Sequence, residues 1–491
     1  MTPLRSSASF GVALALSFAA PLANGNGRFP RAERLVEQGG DPEKLVLAAT
    51  YGLLLTNDRG AEWRHVCELG FAFANAEIDP VVATFPDGSL IVRGIRSLNR
   101  ADAPYCDFFP VLGGEGSDTV ADFSVDASTP DRVLALVMER GDAGGTVNRL
   151  YESLDAARSF APLGVPLPEE EVTFGITLDV AASDSSRLYA TALGRAAGAL
   201  FARSSDGGES WSTTVFDVGP DEYPYIAAVG PDDADLVLVR TDSAESVDGV
   251  YEANDGLLVS DDGGASFREV LRLPAKLLGL ALSPDGSEVV AGYGDPVDPG
   301  RFVDPTVLGI YRASTSDFTF TKVYEGSVSC LSWTESGLYV CTRQDERGFS
   351  LGFAESADFE LTDSDPLTPL LDLRAVSGPL DCPSCTSSTG ACNASWPSTC
   401  AVFGSCGAGE GGTNSDDTCS GGGGSGGTAG EPGRGGAPSG GARSGSREEG
   451  GDGCGCRVAG GRASPLFAIV LSVLAFLLGR RNLRRPRSLF G

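Results

Sequence analysis

One eight-residue pattern recurs through the first three quarters of the chain and limits what that part can become. Thr56-Asn-Asp58-Arg-Gly60-Ala-Glu-Trp63 matches Ser204-Ser-Asp206-Gly-Gly208-Glu-Ser-Trp211, and both match Ser260-Asp-Asp262-Gly-Gly264-Ala-Ser-Phe267. Ser153-Leu-Asp155-Ala-Ala157-Arg-Ser-Phe160 is a weaker copy, with Ala157 where the others carry Gly. The chemistry of the pattern is that of a tight turn. Glycine supplies the positive φ such a turn needs. The Asp carboxylate accepts backbone N–H groups inside the turn, and the aromatic ring packs between sheets. Four residues with a structural role need no catalytic explanation.

The spacing gives the architecture. Asp58 to Asp155 spans 97 residues, about two repeats, while Asp155 to Asp206 spans 51 and Asp206 to Asp262 spans 56. A period near 50 with several short strands per unit matches a propeller blade. Degenerate copies at Tyr105-Cys-Asp107-Phe108, Ser314-Thr-Ser-Asp317-Phe318 and Ser356-Ala-Asp358-Phe359 bring the total to seven. Each unit opens on an apolar strand such as Phe174–Leu178 or Leu278–Leu282. The pattern Ser/Thr-x-Asp-x-Gly-x-x-aromatic resembles the Asp-box (BNR) repeat of the sialidase- and sortilin-like propellers. The expected fold is therefore an all-β, seven-bladed β-propeller of four-stranded antiparallel blades over residues 28–380. Blade two is the least regular, which leaves counts of six and eight open.

Both ends carry address rather than fold. Arg5, the apolar run Phe10–Leu22 and small residues at Ala23-Asn24-Gly25 read as a signal peptide over residues 1–25. At the far end, an uncharged apolar stretch over 464–479 reads as a short transmembrane helix, and Arg480, Arg481, Arg484, Arg485 and Arg487 would hold its end on the cytoplasmic side. Cys454 and Cys456 stand just before it. A Gly-Cys motif, a short helix and an Arg cluster in that order resemble the myxobacterial C-terminal sorting signal (MYXO-CTERM). The resemblance covers residues 454–491 and implies processing by a sorting protease near the cysteines, with display at the outer cell surface. A plain single-span anchor is the other reading, and in both the chain is exported and membrane-anchored.

Between fold and anchor lie a cysteine-rich module (381–419) and a Gly/Ser-rich linker (420–453), the latter too poor in apolar side chains to fold. Six cysteines, at 382, 385, 392, 400, 406 and 419, imply disulfides in an exported chain, with fifteen connectivities open. Cys382-Pro-Ser-Cys385 also has half-zinc-ribbon or redox-pair spacing, but a second matching pair is missing. Within the propeller, Cys330 and Cys341 fall opposite each other across a hairpin, and by elimination Cys67 pairs with Cys106. Asn393-Ala-Ser395 fits a glycosylation sequon.

The formal charge of −29, from 66 Asp and Glu against 37 Lys and Arg, argues against a nucleic-acid partner. The expected partner is an extracellular protein or glycan. Binding residues belong on the second-to-third loops opposite the Asp-box turns. Those candidates are Arg96 and Arg100 in blade two, Asp242 in blade five, Asp295, Asp298, Arg301 and Asp304 in blade six, and Arg343 in blade seven. The acidic loops of blades five and six lie side by side as the leading surface. They could take calcium, but they lack the regular spacing of a calcium loop, so solvated charge is preferred and no cofactor or metal is assigned. His65, the single histidine, reads as an ordinary strand residue. No catalytic residue is named, and the expected protein is a non-enzymatic, surface-anchored propeller that binds a protein, glycan or matrix component through its loop face. The alternative is a glycoside hydrolase, because Asp-box propellers include sialidases and some glucanases. A sialidase would need an arginine cluster and a Tyr–Glu pair, and no early Arg-Ile-Pro stretch is present. Other glycosidases need only two carboxylates at a set separation.

Overall fold

The computed structural model describes residues 32–406, apart from 72, 74–79, 115–117, 142–144, 196–197, 217, 220–221, 244, 248–249, 296–302, 359–364 and 384–385. The signal peptide, the linker, the sorting segment with Cys454 and Cys456, the 464–479 helix, Cys385 and Cys419 all lie outside the described residues. Among the described residues no helix is long and apolar enough to cross a membrane.

Seven four-stranded antiparallel sheets follow one another along the chain, over residues 32–67, 82–113, 119–163, 172–216, 222–273, 276–325 and 328–371. Each is built from four strands consecutive in its own sheet; in blade one these are Ala32–Gln38, Asp41–Ala49, Gly52–Thr56 and Arg64–Cys67. In blade five a small hairpin, Glu245–Val247 with Val250–Glu252, interrupts the link between second and third strands. First strands neighbour one another around the axis at six of the seven seams. This is a seven-bladed propeller.

The core is divided among the seams. Seven apolar clusters each draw on two neighbouring blades, including one of Leu47, Trp63, Tyr339 and Leu351 that joins blade seven to blade one. A blade exposes apolar side chains on both faces, so only ring closure removes all of that surface from water.

The third-to-fourth turns of blades one, three, four and five follow a common plan. Thr56 Oγ1 donates to Asp58 Oδ1 and accepts from Gly60 N, while the same carboxylate accepts from Glu62 N. Ser153 with Asp155, Ser204 with Asp206, and Ser260 with Asp262 repeat the arrangement. Two consecutive left-handed residues follow each Asp: Arg59 and Gly60, Ala156 and Ala157, Gly207 and Gly208, Gly263 and Gly264. Hydroxyl and backbone donors hold the Asp58 and Asp206 carboxyls below their usual range. At Asp262 the Ser266 hydroxyl and amide bring the value down to about 2. Trp63 then reaches across the seam, its Nε1 donating to Leu370 O of blade seven at 2.9 Å.

Cysteine pairing departs from expectation at two of four positions. Cys330 and Cys341 are bonded across their hairpin, where they are direct Cα partners. Cys67 is bonded to Cys392, and Cys106 to Cys382. The reason is that the chain beyond blade seven turns back across blade one and runs on to blade two, so each blade cysteine meets a C-terminal partner. Ser377 N donates to Trp63 O, His65 N to Gly378 O and Leu380 N to His65 O, adding a short parallel stretch outside the fourth strand of blade one. The helix Ser387–Phe403 follows, with a bridge from Cys400 to Cys406 at its end. Its Cys392, Cys400 and Phe403 are buried, and Trp396 and Phe403 pack on His65. The described residues of the cysteine-rich segment thus pack on the propeller, Phe403 and Cys392 joining its apolar clusters.

Candidate functional site

The predicted loop residues do not form one site. Arg100 is not on a loop at all. It lies in the third strand Ser97–Ala101, 1% exposed, paired with Asp87 and Asp102, its Nε donating to Ala156 O. It ties blade two to the turn of blade three, since its register in that third strand turns it toward the neighbouring blade. Arg96 is half-buried in the blade-two turn, where its carbonyl accepts from Val120 N. Asp242 pairs with Lys276, which also donates to Ser243 O and sits 3.2 Å from the buried Asp255. Asp295 lies 3.5 Å from Arg343, which also pairs with Asp345 and Glu346. Asp304 caps a single turn, Pro305–Val307, by accepting from Thr306 N and Oγ1. Asp298 and Arg301 lie outside the described residues. The described acids of these loops are therefore engaged within the protein. A cleft of about 650 Å³ at the same end of blades three and four is lined by Glu139, Arg140, Arg149, Glu169 and Arg195.

The axis holds a different constellation, which the sequence reading missed. Arg34, from the first strand of blade one, is exposed there. Arg93 ends the second strand of blade two, and its guanidinium donates to Ala121 O of blade three. Asp122 and Asp179 come from the first strands of blades three and four. Asp122 Oδ2 accepts from Leu178 N at 3.1 Å, and Asp179 Oδ1 accepts from Ser124 Oγ at 2.7 Å and from Val180 N at 2.9 Å. Tyr225, on the first strand of blade five, lies under the Arg240 guanidinium, 4.6 Å from its ring centre. Five blades thus direct ionisable groups to one place.

The electrostatics follow from enclosure. Both carboxylates are half-buried. Burial pushes Asp179 up to about 6, against the pull of Ser124 and Val180, and the charge of Asp122 adds to the rise. Burial also raises Asp122, with Arg93 and the Leu178 and Phe123 amides opposing. Burial raises Tyr225, aided by the Asp242 charge. A pair of carboxyls of which one holds a proton near pH 6 can both donate and accept hydrogen bonds to ligand hydroxyls, or serve as acid and base. Among the described residues no group of three or more His, Cys, Asp or Glu is placed to hold a metal ion.

A signal for this site does exist in the sequence. Thr119-Val-Ala-Asp122-Phe and Ile176-Thr-Leu-Asp179-Val each set an acid inside an apolar first strand, and first strands line the axis of a propeller.

No known protein-family model matches the sequence, and no curated protein is found to resemble it. Solved structures do. An ancestral GH74 enzyme superposes with a TM-score of 0.51 at 12% identity, over 71% of this chain and 47% of its own. The GH74 enzyme of Niastella koreensis gives 0.38 at 17% identity, over 54% and 41%. An oligogalacturonate lyase of Vibrio parahaemolyticus gives 0.42 at 11%, over 65% and 88%. The matched region spans less than half the length of either GH74 enzyme. At such identities the likeness to the ancestral GH74 enzyme is one of fold alone: this chain is a β-propeller.

Proposed function

We propose that this chain is an exported, surface-anchored propeller that binds a glycan or protein component outside the cell, and that the ligand seats at the axial constellation of Arg34, Arg93, Asp122, Asp179 and Tyr225. The convergence of ionisable groups from five blades on one axis carries the reading. Placing so many polar groups together, two of them half-buried carboxyls, costs solvation, and a bound polar ligand would return it. Four disulfides among the described residues support an oxidising destination. The apolar run and arginines beyond residue 463 support anchoring through the C-terminus, with removal by a sorting protease as a further step.

A second reading rests on the same carboxylates. Asp122 and Asp179 form a pair of carboxyls that burial raises, which suits a glycoside hydrolase acting on extracellular polysaccharide. One experiment separates the two. The full chain, oxidised, is applied to a glycan and polysaccharide array while bound protein and released reducing sugar are both read. Asp122→Asn and Asp179→Asn accompany it. Binding without sugar release that fails in both variants supports the binding protein, and release that fails in both supports the hydrolase. Binding that survives both substitutions overturns the axial site. Cell fractionation tests the address, and a freely soluble, secreted chain overturns the anchor.

A further inference from the structure

We propose that residues 377–406 form a disulfide-locked latch across the seam between blades seven and one, and that reducing its two long-range bridges opens this seam while blades two to six stay closed.

Six of the seven seams are crossed by the polypeptide as it passes from one blade to the next. The seventh has no such link, because every blade is built from its own consecutive strands and no strand is exchanged between the first and last. Apart from its apolar cluster, that seam is held by side-chain hydrogen bonds. Ser329 Oγ donates to Ala32 O at 2.7 Å, and Thr334 Oγ1 and Tyr339 OH donate to Glu37 Oε1 at 3.0 and 2.8 Å. The chain crosses it only after blade seven is complete. It then pairs with His65 on the outer strand of blade one, bonds covalently to Cys67 of that blade through Cys392, and to Cys106 of blade two through Cys382. The bridges span 325 and 276 residues. Together they turn an open arc into a covalent ring.

The latch has little reason to hold without them. Its helix, Ser387–Phe403, contains Gly390 and Pro397 and is rich in Ser and Thr, all weak helix formers. The parallel stretch at His65 is short, and such pairing is weak on its own. Cross-linking supplies the local concentration that packing Trp396 and Phe403 on His65 requires. No ligand enters the argument, so it stands or falls apart from the proposed function.

Amide hydrogen exchange on the oxidised full chain, before and after titration with dithiothreitol, tests the latch. Each bridge takes two electrons and two protons to become two thiols, as the dithiol closes to its own disulfide. The expected result is roughly 100-fold faster exchange at His65, Leu380 and the seam strands Ala32–Gln38 and Val328–Thr334, with Val133–Arg140 of blade three changed by less than about threefold. The quadruple variant Cys67→Ser, Cys106→Ser, Cys382→Ser, Cys392→Ser should behave alike without reductant. The double variant Cys330→Ser, Cys341→Ser, which removes only the hairpin bridge inside blade seven, should leave exchange at His65 and Leu380 slow. Unchanged seam protection on reduction, or equal loss in all blades, would overturn the proposal. Should the quadruple variant fail to fold, reduction of the folded wild type still decides.

Discussion

Replacing His65 by Gln should change how stability depends on pH in a way no other single substitution would. His65 is 1% exposed, its Nε2 lies 2.8 Å from Tyr51 O, and the rings of Trp396 and Phe403 stand 5.6 and 5.7 Å away. As the neutral tautomer protonated at Nε2 it donates to that carbonyl, while Nδ1 is buried without a partner. Burial is the main cause that brings its pKa down to about 4, and the Tyr51 carbonyl opposes. The unfolded chain therefore binds a proton on this ring from about pH 6.5 downward, which the folded chain refuses until about pH 4. Stability should fall as pH falls through that window, by about 3 kcal/mol in all, and level off below it. Asp179 acts in the opposite sense. Its folded pKa of about 6 lies above the unfolded value, so folding takes up a proton between about pH 6 and 4 and gains stability as pH falls. Because Asp179 is only half-buried, water screens that gain, which opposes part of the histidine loss. In His65→Gln the histidine loss is absent, and the variant should become more stable relative to wild type by about 3 kcal/mol between about pH 6.5 and about pH 4. Urea unfolding of both oxidised proteins at half-unit pH steps measures it. A difference that stays constant with pH would refute the account, whatever its offset, because only titration of the ring produces a slope.

Three further outcomes follow from packing. Gly208 and Gly264 hold the same turn position at φ values of +93° and +80°, but a Cβ at Gly208 would meet Leu188 at 3.6 Å, whereas one at Gly264 would lie 1.9 Å from the Phe201 ring. Gly208→Ala should cost about 1–2 kcal/mol, the left-handed strain alone, and Gly264→Ala at least about 2 kcal/mol more; equal denaturation midpoints would contradict this. Arg100→Ala leaves Asp87 without one of its two arginines and the Ala156 carbonyl without its donor, so a loss of about 3 kcal/mol or more in thermal unfolding is expected, with binding per folded molecule unchanged. Lys276→Met should be comparably destabilising because it strands Asp255, which is fully buried beside it, and the loss should shrink in Lys276→Met with Asp255→Asn.

Much of the architecture is legible in the residues because its causes are local. A positive φ calls for Gly, and a carboxylate two residues after a hydroxyl caps its own turn, so Asp58, Asp206 and Asp262 announce turns whose spacing counts blades. The Cys330–Cys341 pairing is equally local, being set by hairpin register. Arg100 shows where this logic stops. Its position near a turn suggested a binding loop, while its true place depends on which sheet face meets blade three.

The repeating unit, its period near 50 residues and the places of the capped turns can be read from the residues, since these depend on interactions within a few positions, whereas the count of seven came from the sheets themselves. Which distant groups meet depends on the closure of the ring. Cys67 and Cys106 met C-terminal partners because the chain crosses its own seam. Arg34, Arg93, Asp122, Asp179 and Tyr225 share one axis because the ring closes. Both results rest on contacts between residues far apart in the chain, and no local rule of turn, register or spacing specifies which of many such contacts a closed ring will choose.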